Sequence, residues 1–207
     1  MKKQIIWFIG LCVFLGFFAT AGNAQNWYGI ISYQIGFPSG DTKDFVDATS
    51  FRGFGMGFRK TLDSYTTVGF TLDWNVFYER TRETVQLETE NPGAITGVQD
   101  RYLNSFPIML NIHRYFAVGK NNKMFVGLNG GGYLMTQRMG IGIFEFQNDE
   151  WEWGIAPEAG VIIPISLNAS LVLTGRYNYA FTGELPTGAE VNHQYWNIGI
   201  GIAWQQF

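Results

Sequence analysis

The sequence has little charge and almost no cysteine, and each shortage excludes a class of protein. Only 15% of the 207 residues are charged, and Cys12 is the one cysteine. Soluble domains carry roughly 25% charged residues. The formal charge of −3 does not provide the basic surface of a nucleic-acid-binding protein. The composition therefore fits neither a nucleic-acid binder nor an ordinary soluble enzyme.

Aromatic residues and glycine are abundant instead. Aromatics make up 17% of the chain, with 18 Phe, 10 Tyr and 7 Trp, and there are 26 glycines. This much apolar material excludes a disordered chain, because it would stay exposed to water. The length suits a single domain.

The first 24 residues have the layout of a secretory signal peptide. Lys2 and Lys3 precede an apolar run over 5–19, and Gly22-Asn23-Ala24 supplies the small residues of a cleavage site. The run is shorter than the ~20 residues of a membrane-spanning helix. We expect cleavage after Ala24, so that residues 25–207 form the mature domain. Since Cys12 leaves with the signal, disulfides and cysteine-metal sites are excluded.

After Ala24, apolar residues alternate with small or polar ones in eight segments, a pattern that predicts β-strands. The last segment is the clearest, with Ile198, Ile200 and Ile202 alternating with Gly199 and Gly201. The connections alternate as well. Those over 61–65, 117–122 and 164–168 are short, whereas those over 39–50, 80–101, 137–150 and 182–193 are long. An up-and-down meander follows, with its long loops at one end and strands of about 9–11 residues, enough to cross a bilayer.

The two faces of these strands indicate which side meets lipid. The apolar face carries more large side chains than the interior of an eight-stranded barrel can hold. The other face carries glycines that fit a narrow interior, namely Gly53, Gly55, Gly57, Gly127, Gly131, Gly199 and Gly201. Aromatics near strand ends fit two interfacial girdles: Trp27, Trp74, Tyr102, Tyr115, Phe116, Trp153, Tyr179, Trp196 and Trp204. We therefore predict an all-β, eight-stranded antiparallel up-and-down transmembrane β-barrel rather than a lipocalin-like one.

Charge predicts the orientation of this barrel. The short turns and their flanks are mainly basic, with Arg59, Lys60, Arg114, Lys120 and Lys123, whereas the long loops are acidic. We expect the short turns and both termini on the periplasmic side.

Four polar residues on the inner face form the candidate site. Asp73, Glu158 and Arg176 each lie about halfway along a strand, and the strands of Glu158 and Arg176 are neighbours. A Glu158–Arg176 pair surrounded by Asp73, Asn129 and Gln34 would fill the lumen, because buried charges must be paired. We favour a structural plug; the alternative is a gate or an ion path.

Catalytic and metal-binding signals are weak. His113 lies on the inner face and His193 in a predicted loop beside Glu190, without a third ligand at metal-site spacing and without a Gly-x-Ser-x-Gly motif. We therefore predict no metal, no cofactor and no enzymatic activity. Pro107 and Pro157 lie within predicted strands, where we expect a bulge or irregular pairing.

The whole chain resembles the porin-family outer-membrane β-barrels, the small OmpA/OmpX-type proteins of Gram-negative envelopes. The resemblance rests on the signal peptide, the alternating strands, the run Arg176-Tyr177-Asn178-Tyr179 and a final strand that ends in Phe207. In that family a terminal aromatic helps the barrel-assembly machinery to recognise the last strand, which implicates Trp204 and Phe207. Phe207 is out of phase with the apolar positions of its strand, a departure that weakens this assignment.

The resemblance also implies a location and a set of functions. It implies a monomer among outer-membrane lipids, including lipopolysaccharide, with a structural or surface-interaction role. Independently of the resemblance, the long 80–101 connection alternates over Thr84-Val85-Gln86-Leu87-Glu88, which predicts a hairpin that extends its strands above the membrane. This hairpin is the candidate site for a protein partner, by strand addition; the alternative is a solvated, variable loop. The alternatives are a narrow passive pore for small solutes, an accessory subunit of an envelope assembly or secretion machine, and a lipid-modifying enzyme of the outer leaflet.

Overall fold

A computed structural model describes residues 27–87, 93–119, 121–141, 144–185 and 190–205. The predicted signal peptide and Phe207 lie outside the described residues. The described residues form eight strands and one short helix: β1 (Trp27–Ser39), α1 (Gly40–Phe45), β2 (Ser50–Thr61), β3 (Thr66–Leu87), β4 (Gly93–Val118), β5 (Asn122–Ile141), β6 (Phe144–Pro164), β7 (Ala169–Glu184) and β8 (Glu190–Gln205). No described helix is both long and apolar enough to span a membrane.

The strands close into a barrel. Each strand pairs antiparallel with the next one in sequence, and β1 closes the ring against β8, from Tyr28↔Gln205 to Ser39↔Gln194. This closure leaves the membrane-spanning region without a sheet edge, which lipid could not solvate. The predicted eight-stranded up-and-down barrel is confirmed.

The predicted faces are confirmed as well. Apolar side chains such as Leu110, 72% exposed, point outward, while Gly55 and Gly199 on the other face adjoin inward-pointing polar side chains. Trp204 lies on the outside and lays its indole across Gly29, where a Cβ would stand 2.4 Å from Cζ2. Glycine thus lets an interfacial aromatic ring lie flat against the barrel wall.

Two residues assigned to the surface lie inside. Tyr115, predicted for a girdle, is buried, and its hydroxyl is hydrogen-bonded to that of Tyr28. Arg59, predicted to flank a basic turn, is only 2% exposed and points into the lumen. Both follow the alternation of their strands, which places every second residue inside even near a strand end.

The strands β3 to β6 continue well beyond the barrel. The β2–β3 pairing begins at Gly53↔Asn75, yet β3 and β4 remain paired up to Leu87↔Gly93. On the other side, β6 pairs with β7 only as far as Trp153, while β5 and β6 pair up to Ile141↔Phe144. The stretches 77–87, 93–104, 136–141 and 144–152 form a four-stranded sheet, which we call the projecting sheet.

The projecting sheet confirms the hairpin extension predicted for 80–101 and corrects the predicted loop over 137–150, which is also mostly strand. Most of the segments 80–101 and 137–150 is strand, and β3 to β6 are 20–26 residues long, about twice the length that crosses a bilayer. The pairing between hairpin partners continues because each strand still finds hydrogen-bond partners above the lipid. We call this end of the barrel the loop end and the opposite one the turn end.

Helix α1, which the sequence did not predict, covers the loop end of the lumen. Phe45 and Val46 are buried against the inner face of the barrel. The Arg101 guanidinium donates to the Phe45 carbonyl at 3.0 Å and thus satisfies a carbonyl at the end of the helix. The backbone N–H of Gln194 donates to Thr42 Oγ1 at 2.6 Å, so that strands on opposite sides of the mouth hold the segment.

At the turn end, the β2–β3 turn is tightened by an acidic side chain. The Tyr65 N–H donates to the Asp63 carboxylate at 2.8 Å. This bond, aided by Arg114 3.7 Å away, holds the pKa of the Asp63 carboxyl below its usual value.

The two strand prolines interrupt pairing on one side without changing the register. Pro107 pairs with Tyr133 of β5, while the β3–β4 pairing skips from Leu72↔Ile108 to Asn75↔Ser105 in the same register. Pro157 pairs with Leu128 of β5, while the β6–β7 pairing skips from Ile155↔Tyr179 to Glu158↔Arg176. The missing N–H is thus accommodated by a local gap in the ladder.

Candidate functional site

The candidate site is a set of four charged side chains inside the barrel, which we call the ion network. It comprises Arg59 of β2, Asp73 of β3, Glu158 of β6 and Arg176 of β7. Arg59 Nη2 lies 3.0 Å from Glu158 Oε1, and Arg176 Nη2 lies 3.3 Å from Glu158 Oε2. Arg176 Nη1 also donates to Asp73 Oδ2. Each arginine therefore contacts Glu158, and Arg176 bridges the two carboxylates.

Three carboxamides and the His113 imidazole complete the network. Asn129 Nδ2 donates to Glu158 Oε2 at 3.0 Å, and His113 Nε2 lies 3.3 Å from the same oxygen. Gln34 Nε2 donates to Asp73 Oδ1 at 2.7 Å. Asn197 in turn donates to the Gln34 carbonyl oxygen at 2.7 Å. These groups extend the contacts to strands on every side of the lumen.

The ion network is buried and its charges balance. Glu158 is 4% exposed and Arg176 is 5% exposed. Two arginines face two carboxylates, so the cluster carries no formal net charge when all four groups are ionised. An unpaired charge at such a place would cost several kcal/mol, which explains why the members occur together.

Inward-facing glycines provide the space for the network. A Cβ at Gly55 would stand 2.2 Å from Gln34 Nε2 and 2.3 Å from Asp73 Oδ1. A Cβ at Gly127 would stand 2.2 Å from His113 Cδ2. These glycines permit long polar side chains to cross the lumen.

Apolar layers lie on both sides of the ion network. Toward the turn end, Phe125, Val172 and Ala203 pack together with Ile30 and Tyr115. Toward the loop end, a larger cluster fills the barrel beneath α1, consisting of Phe45, Val46, Phe77, Leu103, Met109, Tyr133, Met135, Met139, Ile141, Ala156, Ala180 and Tyr195. The sequence predicted a partly wet, glycine-lined interior, and it missed this apolar filling.

The structure brings together all four residues that the sequence placed in the lumen: Asp73, Asn129, Glu158 and Arg176. Sequence reasoning missed Arg59, although it lies two residues after Gly57 and therefore points to the same, inner side of β2. It also placed His113 on the inner face without a partner, whereas the imidazole contacts Glu158. In both cases the signal was the alternation of inward- and outward-facing residues. Followed to the end of the strand, it predicts that Arg59 and His113 point into the lumen.

His193 is not in a loop, as the sequence predicted. It belongs to β8 and is buried, and its Nδ1 lies 2.9 Å from Glu152 Oε1 on β6. Its acidic partner is therefore Glu152, and Glu190 is exposed. His193 Nε2 has no hydrogen-bond partner in the described part of the chain. A histidine that activates a hydroxyl nucleophile must reach it at about 2.6–3.2 Å, and among the side chains that the structure describes this imidazole makes no such contact.

Metal ligands are not clustered in the described ranges. Within them, no group of three or more His, Asp, Glu or Cys side chains could hold a metal ion. Glu158 and His113 meet, but the carboxylate is already engaged by two arginines, which compete with any cation.

Comparison with known proteins adds the fold class. No protein-family model matches the sequence, and no curated protein matches it. Among solved structures, Neisserial surface protein A is similar at a TM-score of 0.58 and 15% identity over 87% of this chain and 97% of that one. The outer membrane protease OmpT from Escherichia coli is similar at a TM-score of 0.51 and 7% identity over 88% of this chain and 97% of that one. At these identities the likeness concerns the fold alone, which is that of the outer-membrane β-barrels.

Proposed function

We propose that this protein is a non-enzymatic, closed outer-membrane barrel that presents the projecting sheet at the cell surface for interaction with a partner. The observation that carries the proposal is the contrast between the two parts of the molecule. The barrel is filled along its length, whereas the projecting sheet continues four strands beyond it and has two lateral edges. A molecule built this way offers a surface rather than a passage.

The role of the ion network in this proposal is structural. It plugs the lumen between two apolar layers, and paired charges in such surroundings rigidify a core. This supports the plug over the gate or ion path, because water and ions would have to displace apolar side chains on both sides.

The projecting sheet supports the interaction role. The described pairing joins β6 to β7 up to Trp153 and β3 to β2 up to Asn75, and beyond these points β3 and β6 form the two sides of the projecting sheet. Free strand edges pair with extended segments of other chains. Glu79 of β3 accepts a hydrogen bond from the Asp47 N–H, so the segment after α1 covers part of the β3 side of the projecting sheet. On β6 the Gln147 side chain is exposed, and this side is the one that we propose for a partner.

The proposed orientation places the projecting sheet outside and the short turns and termini in the periplasm. Its support is the charge pattern, with basic side chains such as Lys60, Arg114 and Lys123 at the turn end. During biogenesis, the barrel-assembly machinery would act on the last strand, which includes Trp204 and Phe207.

A photo-crosslinking experiment tests the interaction role and the orientation together. A benzophenone amino acid replaces Gln147 on the exposed part of β6, and a matched variant carries it at Asn121 in the β4–β5 turn. We expect adducts with an extracellular or surface macromolecule from Gln147 only, on intact cells. No adduct at Gln147 would contradict the interaction role, and surface adducts from Asn121 would reverse the orientation.

Catalysis is the alternative that one observation favours, namely the buried Glu152–His193 pair. We nevertheless propose a non-enzymatic protein, since His193 is 1% exposed and its Nε2 faces no nucleophile within the described residues. The fold likeness to a protease does not transfer activity. Incubation with labelled lipopolysaccharide tests this point, and release of an acyl chain that depends on His193 would overturn it.

A further inference from the structure

A groove of about 910 Å³ lies on the outside of the barrel, where the projecting sheet leaves the membrane-spanning wall. Phe54 and Trp74 form its lower wall, and Arg52 and Arg138 line its upper part. All four side chains are exposed, Trp74 by 53%. The groove therefore combines an apolar floor with cationic side chains above it.

The strand register fixes the height of these groups above the apolar belt, by which we mean the outward-facing apolar side chains of the membrane-spanning strands. Phe54 pairs with Trp74 in the upper aromatic girdle. Four residues further along β3, the row Tyr78↔Tyr102↔Arg138 crosses the sheet, roughly 13 Å beyond Trp74 along the strand. Since an aromatic girdle marks the edge of the hydrocarbon region in outer-membrane barrels, the arginines beyond Phe54 and Trp74 lie at the level expected for lipid headgroups.

The charged side chains in the groove differ in how closely an opposite charge approaches them. The Asp100 carboxylate accepts a hydrogen bond from the Tyr78 hydroxyl at 2.7 Å and lies 3.7 Å from Arg80 Nε. Arg138 Nη1 is 3.9 Å from Glu145, a loose contact. In the described ranges no carboxylate pairs with the Arg52 guanidinium. Arg52 and Arg138 are therefore available to an anion, while carboxylate oxygens remain close to them.

We propose that this groove binds the phosphorylated sugar headgroup of an outer-leaflet glycolipid. Guanidinium groups bind phosphate with paired, charge-assisted hydrogen bonds. Asp100 and Glu145 accept from sugar hydroxyls, of which lipid A offers several beside its phosphates, whereas phosphatidylglycerol brings one phosphate and only the two hydroxyls of its glycerol headgroup. The exposed face of Trp74 packs against the first carbons of the acyl chains.

The proposal rests on the proposed function in one respect, because the groove must face the outer leaflet. Binding itself is independent of orientation and is measured with the folded chain in detergent micelles. Native mass spectrometry follows titration with diphosphorylated lipid A, with monophosphorylated lipid A and with phosphatidylglycerol. The test variant is Arg52→Gln with Arg138→Gln. The matched control is Arg114→Gln with Lys123→Gln, which removes the same charge at the turn end.

We expect diphosphorylated lipid A to bind the wild type at least about tenfold more tightly than phosphatidylglycerol, and the test variant to lose about tenfold or more in affinity for it. The control variant keeps wild-type affinity, and circular dichroism confirms that all variants are folded. Equal affinity for the lipids, or an equal loss in both variants, would overturn the proposal. A reversed orientation in the crosslinking experiment, with lipid A binding intact, would contradict the proposed function and the outer-leaflet location of the groove, but not its selectivity for a phosphorylated sugar.

Discussion

Glu158 is the residue on which the ion network depends most. Its carboxylate contacts Arg59, Arg176, His113 and Asn129, so it compensates two buried positive charges. Glycine has a complementary role, because positions such as Gly55 provide the volume that these long side chains occupy. The ion network thus requires both the pairing of its charges and the volume that inward-facing glycines leave free.

Glu158→Gln should destabilise the barrel strongly. The amide keeps the shape of the side chain but leaves Arg59 and Arg176 without their shared negative partner, a change that costs about 3–5 kcal/mol for a buried pair. Urea unfolding of the protein in lipid vesicles, followed by tryptophan fluorescence, measures the loss. The control is Glu145→Gln, since that side chain is 64% exposed; a comparable loss in the control would rule out the network as the cause.

Gly55→Ala should reduce stability by about 1–3 kcal/mol, the cost of forcing one methyl group into a packed interior. The new Cβ would collide with Gln34 Nε2 and Asp73 Oδ1. Gly175→Ala is the matched control, because a Cβ there meets nothing within 4 Å. The same unfolding assay compares the two, and equal effects would mean that strand propensity, not space in the lumen, decides the cost.

At this scale the sequence already contained most of the site. Alternation alone predicted that Asp73, Asn129, Glu158 and Arg176 face inward, because lipid on one side fixes the parity of every strand. The same parity includes Arg59 and Tyr115, but their positions near strand ends suggested a turn flank and a girdle. The pairing of His193 with Glu152 could not be predicted, since it depends on how far β6 and β8 continue above the membrane.

The strands and the helix differ in how far each can be predicted from its own sequence. The membrane-spanning parts of the strands carry a two-residue period, whereas the described exposed positions of the projecting sheet mix polar side chains such as Arg138 with apolar ones such as Val98 and Phe144. The stability of this sheet comes from the pairing of β3 with β4, of β4 with β5 and of β5 with β6, which is a tertiary effect. Helix α1 has six residues, too short to be stable alone, and it depends on burial of Phe45 and Val46.

Arg101 should hold α1 over the mouth of the barrel. Its guanidinium donates to the carbonyl oxygens of Phe45 and Asp44. In Arg101→Ala we expect trypsin to cleave after Lys43 about tenfold faster in the folded protein, because a charged hydrogen bond no longer opposes local opening. Mass spectrometry of the digest identifies the cut. Arg80→Ala, which removes an exposed arginine of β3, should leave the cleavage rate unchanged. The urea midpoint of the barrel should be unchanged in both variants.

The whole molecule is built in layers along the barrel axis. From the turn end, an apolar layer, the ion network, a larger apolar cluster and α1 follow one another inside the wall. No single layer has to seal the lumen, because a charged group that loses its partner is still enclosed by hydrocarbon side chains on both sides. Disrupting one layer should therefore lower the stability of the barrel, whereas the remaining layers should still block the lumen.

This layered arrangement predicts the behaviour of Arg176→Ala in planar bilayers. The substitution leaves Asp73 unpaired but keeps the Arg59–Glu158 pair and both apolar layers, so the melting temperature should fall by about 10 °C without any channel opening. Wild type and variant should both give a flat current trace, since apolar side chains still pack into the lumen on both sides of the ion network. Discrete conductance steps in the wild type would show that the filled lumen is a gate. Steps only in the variant would mean that the ion network alone, rather than the layers around it, closes the barrel.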